Sequence, residues 1–271
     1  MREDQLEAFF HREDATLMAD AAWLDAHRAL LQALESGSVR AAFRDEAGTW
    51  RANAWVKRAI LIGFRRTRLE AIAGSGGRYF DKPAYPLREF DLDDQVRLVP
   101  GGSAVRRGAY VAPGVVVMPP AYINVGAYVD AGTMVDSHAL VGSCAQIGRD
   151  VHLSASAQIG GVLEPAHQSP VIIEDGAFVG GLCGVFEGVV VRERAVLAAG
   201  VVLTSATTIF DLVHGCERRG EIPAGAVVVP GSRPARGDYA TSLGLQLAAP
   251  MIVKYRDERT NAATALEGAL R

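Results

Sequence analysis

Aliphatic side chains recur at every sixth position through the middle of the chain. Counted from residue 105, ten consecutive hexads begin with Val, Ile or Leu, and nine of them carry Ala, Val or Thr four residues later. The first positions are Val105, Val111, Val117, Ile123, Val129, Val135, Val141, Ile147, Leu153 and Ile159. An α-helix repeats about every 3.6 residues and a strand about every two, so neither explains a period of six.

This period predicts a three-sided parallel β-solenoid. Each hexad forms one short strand and one corner, and three hexads complete a coil of roughly 18 residues. The aliphatic residue points inward and stacks on its equivalent in the next coil, about 4.8 Å away. The fourth hexad position holds Gly108, Gly114, Gly126 and Gly132, which marks corners where the backbone needs a positive φ.

The repeat is interrupted twice, and both interruptions predict loops that leave the solenoid. The phase is lost after Ile159 and returns at Ile173, which places one loop at 164–171. A second loop, 210–221, follows Ile209. Loops thrown out from a solenoid coil commonly build its binding face.

The two ends of the chain differ from the repeat. Apolar residues at helical spacing before residue 73 predict helices, including one at 54–63 that ends at Gly63. The stretch 78–91 is rich in proline and aspartate and predicts a linker, and 260–271 predicts a closing helix. The expected domains are a helical N-terminal domain with its linker at 1–100, the solenoid at 101–235 and a C-terminal segment with a short helix at 236–271.

Charge and composition narrow the class of partner. The net charge of −3 provides no basic field for nucleic acid or an anionic membrane. The chain starts with charged residues rather than an apolar signal, and no apolar run approaches the roughly 20 residues of a membrane span. We therefore expect a cytoplasmic protein. Cys144, Cys183 and Cys216 are expected to be reduced and buried, and no spacing typical of a metal site is present.

Several strings go beyond generic hexapeptide repeats. They are RYFDK at 78–82, NVGAYVDAGTMVD at 124–136, VGSCAQIG at 141–148, IGGVLEP at 159–165 and IPAGAVVV at 222–229. Together with WVKRAILIGF at 55–64, they make the chain resemble the 2,3,4,5-tetrahydropyridine-2,6-dicarboxylate N-succinyltransferases, a family of hexapeptide-repeat acyltransferases. The resemblance covers nearly the whole chain.

The resemblance implies a mainly β protein, a left-handed parallel β-helix with a helical N-terminal domain that assembles as a homotrimer. It also implies transfer of a succinyl group from succinyl-CoA to the amine of 2-amino-6-oxopimelate, the ring-opened form of tetrahydrodipicolinate. This reaction belongs to diaminopimelate and lysine biosynthesis. The active sites of the family lie in clefts between neighbouring solenoids.

Residue by residue, the resemblance assigns substrate binding to Arg97 and both substrate binding and catalysis to Asp136. A neutral amine attacks the thioester, so a nearby carboxylate or imidazole should accept its proton. Without the family, Asp136 reads as an aspartate that caps a corner. CoA is expected along a solenoid edge, where Gly161, Gly180, Ala199 and Gly200 leave room for its pantetheine, while Lys254 and Arg233 could meet its phosphates.

The chain departs from the family pattern beside these residues. Relatives carry an arginine and a proposed catalytic glutamate where this chain has Leu182 and Gly184, and a tryptophan where it has His138. Three interpretations stay open. Asp136 is the only essential carboxylate, or His138 takes over proton transfer, or the donor has changed from succinyl-CoA to acetyl-CoA.

Two further alternatives concern the protein as a whole. The chain could be an N-acetyltransferase acting on the same or a related amino-diacid for a secondary metabolite. It could instead be a catalytically inactive solenoid that is kept as an assembly subunit.

Overall fold

A computed structural model describes residues 1–74 and 77–256. The N-terminal part contains four helices and two antiparallel hairpins. The helices are α1 (Glu3–Phe10), α2 (Asp14–Ala19), α3 (Trp23–Glu35) and α4 (Ala54–Arg66). The hairpins are β1 (Ala42–Arg44) with β2 (Trp50–Ala52), and β3 (Glu70–Gly74) with β4 (Gly77–Asp81).

The helices enclose a core of their own. Leu6 and Phe10 of α1, Leu30 of α3 and Ile60 of α4 are fully buried in it, because each helix keeps its apolar residues on one face. Helix α4 continues through Gly63 to Arg66, so the predicted end at Gly63 was wrong. A Cβ at position 63 would collide with the hydroxyl of Tyr85 and the ring of His27, so this glycine serves packing rather than helix termination.

Both hairpins lie in regions where the sequence predicted helix or linker. Residues 78–81, predicted as part of a linker, form strand β4. The short strands carry too few residues for a two-residue period to show. The predicted closing helix at 260–271 lies outside the described residues, whereas a short helix α5 (Asp238–Ser242) occurs earlier in the C-terminal segment.

The central part is a left-handed parallel β-helix with three faces. Face 1 contains β5 (Arg97–Leu98), β8 (Val116–Val117), β11 (Met134–Val135), β14 (His152–Leu153), β17 (Phe178–Val179), β20 (Val196–Leu197) and β25 (Ala226–Val229). Face 2 contains β6 (Ala104–Val105), β9 (Tyr122–Ile123), β12 (Leu140–Val141), β15 (Gln158–Ile159), β18 (Gly184–Val185) and β21 (Val202–Leu203). Face 3 contains β7 (Tyr110–Val111), β10 (Tyr128–Val129), β13 (Gln146–Ile147), β16 (Ile172–Ile173), β19 (Val190–Val191) and β24 (Glu221–Ile222).

The register confirms the predicted period. In the uninterrupted coils each strand pairs with the strand roughly 18 residues later, so that Val111, Val129 and Ile147 stand above one another. All ten predicted inward residues are buried. The four glycines predicted to need a positive φ have φ values of 72° to 81°.

The two interruptions leave the solenoid as predicted. Lys57 of α4 is fully buried and its ammonium donates to the backbone carbonyls of Gln168 at 2.5 Å and Pro165 at 3.2 Å, which fixes the first loop. Burial lowers the pKa of this lysine. The second loop contains the hairpin β22 (Ile209–Asp211) and β23 (Cys216–Arg218).

A buried carboxylate holds the second loop in place. Burial raises the pKa of Asp211, but hydrogen bonds from His214, Tyr255 and Arg218 outweigh it and hold that pKa well below its usual range. Tyr255 lies on β28 (Met251–Tyr255), which pairs with both β22 and β25. Segments on both sides of the predicted 101–235 boundaries, β5 and β28, therefore extend face 1.

A third hairpin follows the last coil. It consists of β26 (Ser232–Pro234) and β27 (Gln246–Ala248), with α5 between them.

The N-terminal domain covers face 3 and the corner between faces 2 and 3. Val125 and Cys144 of that corner belong to the core of the helical domain. Arg40 donates to Gln146 at 3.0 Å, and Arg44 and Trp50 each donate to Glu174 at 2.8 Å. The corner between faces 1 and 2 is exposed instead.

The cysteines only partly follow the expectation. Cys144 and Cys183 are buried, and burial raises the pKa of both thiols. Cys216 is exposed, so its predicted burial was wrong. It lies on a hairpin strand rather than in a solenoid coil. Among the described helices, none has the length and apolar character needed to cross a membrane.

The burial of His27 predicts a pH-dependent stability. Burial lowers its pKa to about 4, although the carbonyl of Ala84 opposes the shift. Because the unfolded chain has a histidine pKa of about 6.5 and binds the proton first, stability should fall as the pH drops from about 6.5 to 4. At pH 4.5 this loss should be about 2–3 kcal/mol relative to pH 7. Urea denaturation of His27→Gln should show a smaller acid loss, while His11→Gln, at an exposed histidine, should match the wild type. An unchanged acid loss in His27→Gln would contradict the assignment.

Candidate functional site

The corner between faces 1 and 2, here called corner 1–2, collects most of the predicted site residues. Each coil contributes three consecutive residues to it. From the bottom these are 118–120, 136–138, 154–156, 180–182 and 198–200. Asp136 and His138 thus share one coil, while Gly180, Ala199 and Gly200 lie two and three coils above them.

From the coil of Asp136 upward, corner 1–2 has one left-handed backbone residue per coil. His138, Ser156 and Leu182 have φ values of 61° to 62°, and Gly200 has φ of 80°. Their N–H groups donate to the coil below, as in the 3.0 Å bond from Leu182 to the carbonyl of Ala155. A left-handed residue with a side chain costs roughly 1–2 kcal/mol. The ladder of backbone hydrogen bonds offsets that cost.

The two carboxylate oxygens of Asp136 have different hydrogen-bonding surroundings. Its Oδ1 accepts a hydrogen bond from the N–H of Ser137 at 2.7 Å, so the capping interpretation holds for that oxygen. No described residue donates to Oδ2. The side chain is half-buried. A carboxylate held in this way can accept a proton without losing its position.

His138 lies two residues further along the same turn. It is exposed, and within residues 1–74 and 77–256 its ring makes no hydrogen bond. Arg97 lies on face 1, two strands below Met134 in the row Arg97, Val116, Met134. Its side chain is exposed and forms no ion pair with any described residue. From the strand spacing, its Cα lies about 10 Å below the coil of Asp136.

The predicted CoA residues fall into three places. Gly180, Ala199 and Gly200 follow corner 1–2 above Asp136, but Gly161 lies on the corner between faces 2 and 3. Lys254 pairs with Val227 at the top of face 1. A Cβ at Gly161 or Gly180 would come within 2.6 Å of backbone nitrogen in the neighbouring coil, so close packing alone requires both glycines.

A cavity of about 390 Å³ opens at the top of corner 1–2. Gly200, Val202, Thr207, Gly231 and Arg233 are among its lining residues. The last corner glycine and an arginine are thus both part of its lining. The cavity could hold a polar group that extends upward from the corner.

The segment that departs from the family has a clear shape. Leu182 is 72% exposed at the corner, and Cys183 is buried as predicted, with its thiol donating to the carbonyl of Ala198 at 3.1 Å. A Cβ at Gly184 would lie 2.5 Å from Cε2 of Phe186. The ring of Phe186 thus occupies the space that a side chain at position 184 would use.

Sequence reasoning missed two residues here, Phe186 and Gln158. The side-chain amide of Gln158 donates to the carbonyl of His138 at 3.0 Å and to that of Ser156 at 3.3 Å. A polar residue at an outward strand position gives no signal that separates a corner support from a solvated side chain. No cluster of three His, Cys, Asp or Glu suited to a metal occurs in the described part of the chain.

Comparison with known proteins agrees with the fold. Residues 2–66 match a family model described as tetrahydrodipicolinate N-succinyltransferase N-terminal, and residues 170–205 match the hexapeptide repeat of succinyl-transferase. The fold and these matches define a hexapeptide-repeat acyltransferase.

Similar sequences name the family. A 2,3,4,5-tetrahydropyridine-2,6-dicarboxylate N-succinyltransferase of Nitrobacter hamburgensis is 43% identical over 270 residues, covering 97% of this chain and 95% of the relative. One of Aromatoleum aromaticum is 45% identical over 258 residues, covering 93% and 91%. The chain belongs to the 2,3,4,5-tetrahydropyridine-2,6-dicarboxylate N-succinyltransferase family.

A solved structure supports the fold alone. It comes from Campylobacter jejuni and carries the provisional name 2,3,4,5-tetrahydropyridine-2-carboxylate N-succinyltransferase. It superimposes with a TM-score of 0.56 at 16% identity, covering 83% of this chain and 62% of that one.

Proposed function

We propose that the protein transfers the succinyl group of succinyl-CoA to the amine of 2-amino-6-oxopimelate, the ring-opened form of tetrahydrodipicolinate, in cytoplasmic diaminopimelate and lysine biosynthesis. The observation that carries the proposal is the 43% identity over 97% of the chain to a relative of that name. The open oxygen of Asp136 at an accessible corner supports it.

The chemistry needs a proton acceptor beside the nucleophile. The neutral amine attacks the thioester carbonyl, a C–N bond forms, and negative charge develops on the carbonyl oxygen. We assign removal of the proton from nitrogen to Asp136, since its Oδ2 is uncommitted. The C–S bond then breaks, the amide carbonyl re-forms, and the CoA thiolate leaves and is protonated. His138 lies on the same coil as Asp136 and is therefore the second candidate for the proton acceptor.

Arg97 is proposed to bind a substrate carboxylate, because the guanidinium fork matches the two oxygens. Its exposure and its lack of an ion pair within the described ranges suit that role. CoA is proposed to follow corner 1–2 upward past Gly180, Ala199 and Gly200, with its phosphates near Arg233 and Lys254. Gly161, on another corner, could contribute to the same site only from a neighbouring subunit.

A homotrimer would complete the site. Faces 1 and 2 meet at corner 1–2 and carry outward apolar residues that the N-terminal domain leaves uncovered. Leu182, at the corner itself, and Val202, on face 2, are 72% and 51% exposed. Exposed apolar side chains next to a candidate site favour contact between subunits.

The alternatives rest on the segment 182–184. With Leu182 and Gly184, no cation or carboxylate from these positions can meet the acyl group, which favours a short neutral acyl group and therefore acetyl-CoA. The loss of the glutamate also keeps an inactive subunit as an alternative. The open Asp136 and the exposed Arg97 argue against inactivity.

The Asp136→Asn variant should lose activity but keep its fold. Asparagine retains an oxygen that can accept the Ser137 N–H, whereas it cannot accept the substrate proton. Loss of general-base help reduces turnover by about 10²–10⁴-fold. His138→Asn is the matched variant, since asparagine tolerates the left-handed backbone, and it should stay within about tenfold of the wild type. If steady-state kinetics instead show the large loss in His138→Asn and near wild-type turnover in Asp136→Asn, proton transfer belongs to His138.

The acyl donor can be tested at position 182. Wild-type kcat/KM should be higher with succinyl-CoA than with acetyl-CoA. Leu182→Arg should increase that preference, because a charge-assisted bond to the succinyl carboxylate is worth about 1.5–3 kcal/mol, or roughly 10- to 150-fold. Leu182→Gln, which adds no charge, is the control. A wild type that prefers acetyl-CoA tenfold would move the function to the acetyltransferase alternative.

The oligomeric state can be measured by light scattering. The protein should have about three times the 28.8 kDa mass of one chain. Met134→Glu, on the outward side of face 1, should shift it toward monomer, because an interface does not tolerate an unpaired buried charge. The same change at Leu92, which is 96% exposed, should leave the trimer intact. A wild-type mass of one chain at micromolar concentration would exclude the trimer.

A further inference from the structure

Two glutamines occupy the same position in different hexads and make the same pair of hydrogen bonds. Gln146 opens β13, and its Nε2 donates to the carbonyls of Gly126 at 3.4 Å and Cys144 at 2.9 Å, the pair that it shares with the second glutamine, and also to that of Ala145 at 3.3 Å. Gln158 opens β15, and its Nε2 donates to the carbonyls of His138 and Ser156. In each case the two shared acceptors lie 20 and 2 residues earlier in the chain, so both side chains tie two successive coils together at a corner.

These bonds also orient the amide groups. Two backbone carbonyls can only accept, so the NH₂ end of each side chain must face the corner. The carbonyl end Oε1 then points away from the corner in both residues. The orientation of each amide follows from its partners rather than from an arbitrary choice between oxygen and nitrogen.

The two oxygens have different surroundings. Oε1 of Gln146 lies beneath the N-terminal domain and accepts a hydrogen bond from Nε of Arg40 at 3.0 Å. Oε1 of Gln158 has no donor in the described structure. The side chain of Gln158 is only half-buried, so a ligand can reach this oxygen.

The position of Gln158 places that oxygen beside the candidate site. Its strand is one coil above that of Leu140, which follows the turn carrying Asp136 and His138. The residue paired with it in the coil above is Gly184, which has no side chain. An immobilised acceptor thus stands between the proposed proton acceptor and the segment where the family's carboxylate is missing.

We propose that Gln158 is a ligand-binding residue of this site, whose Oε1 accepts a hydrogen bond from an N–H group of a substrate. This rests on the proposed function, which supplies two such groups, the amine of the acyl acceptor and the amides of the pantetheine arm of CoA. The bonds to His138 and Ser156 hold the oxygen in place, so little side-chain freedom is lost on binding.

The test separates binding from corner support. Gln158→Lys keeps a donor for the two carbonyls but removes the acceptor, and Gln158→Met removes both. Gln146→Met removes the equivalent corner bonds away from the site, together with the bond from Arg40. Three quantities are measured for each variant and for the wild type. They are the kinetics with succinyl-CoA and the amine substrate, thermal unfolding, and calorimetric binding of CoA and of 2-aminopimelate (the substrate without its 6-oxo group).

Both changes at position 158 should raise KM and Kd for one of the two ligands by about 3- to 10-fold, the range of a single hydrogen bond. The affected ligand identifies the N–H group. Gln158→Lys should unfold near the wild-type temperature, and Gln146→Met should unfold earlier with unchanged KM.

If both variants at position 158 keep the wild-type KM and Kd for both ligands, the proposal is wrong, whatever their turnover. A second outcome is that the wild-type protein shows no turnover, yet both changes at position 158 weaken its binding of CoA or of 2-aminopimelate. That result would support the role of Gln158 and refute the proposed reaction. A wild type that binds neither ligand would overturn both.

Discussion

The stacking of inward aliphatic side chains, coil upon coil, is the interaction on which the rest of the structure depends. Each solenoid strand is only a few residues long and could not persist alone, so its stability comes from the strand above, the strand below and one buried side chain. This stacking requires only that the six-residue phase of the repeat is restored after an insertion. Ile147 pairs with Ile173 across the first loop as regularly as Val129 pairs with Ile147 without one. A solenoid can therefore carry long loops without disturbing its core.

The same constraint makes the corners chemically useful. From the coil of Asp136 upward, each coil turns corner 1–2 through a left-handed residue, and three of these residues are His138, Ser156 and Leu182 rather than glycine. Their side chains project from a backbone whose N–H groups are already bound to the coil below. Rigid elements position functional groups better than free loops do. Asp136 gains further from the turn, since one of its oxygens is fixed by Ser137 while the other stays available.

The parts predictable from the sequence were those governed by the repeat. A six-residue period is visible in letters alone, so the inward residues, the corner glycines and both loops could be assigned. Gly63 was misread as a helix end because glycine is required there by a long-range contact with Tyr85 and His27. The hairpins of the N-terminal domain were missed because their strands are too short to show a period. Asp136 was found through resemblance, since an aspartate in a turn is ordinarily a cap. Gln158 was missed because its role depends on a residue 20 positions away.

The N-terminal domain supplies the asymmetry that a regular prism lacks. Three equivalent corners run along the solenoid, and the repeat gives no reason to prefer one. The N-terminal domain covers face 3 and the adjoining corner. Cys144 of that corner is buried in the core of the domain, Arg40 donates to Gln146 and Trp50 donates to Glu174, so the oxygen of Gln146 is already bound within the protein. Gln158, equivalent in the repeat, keeps its oxygen free on the side that the domain does not reach. Where the domain docks thus decides which copies of a repeated side chain remain structural and which are open to a ligand.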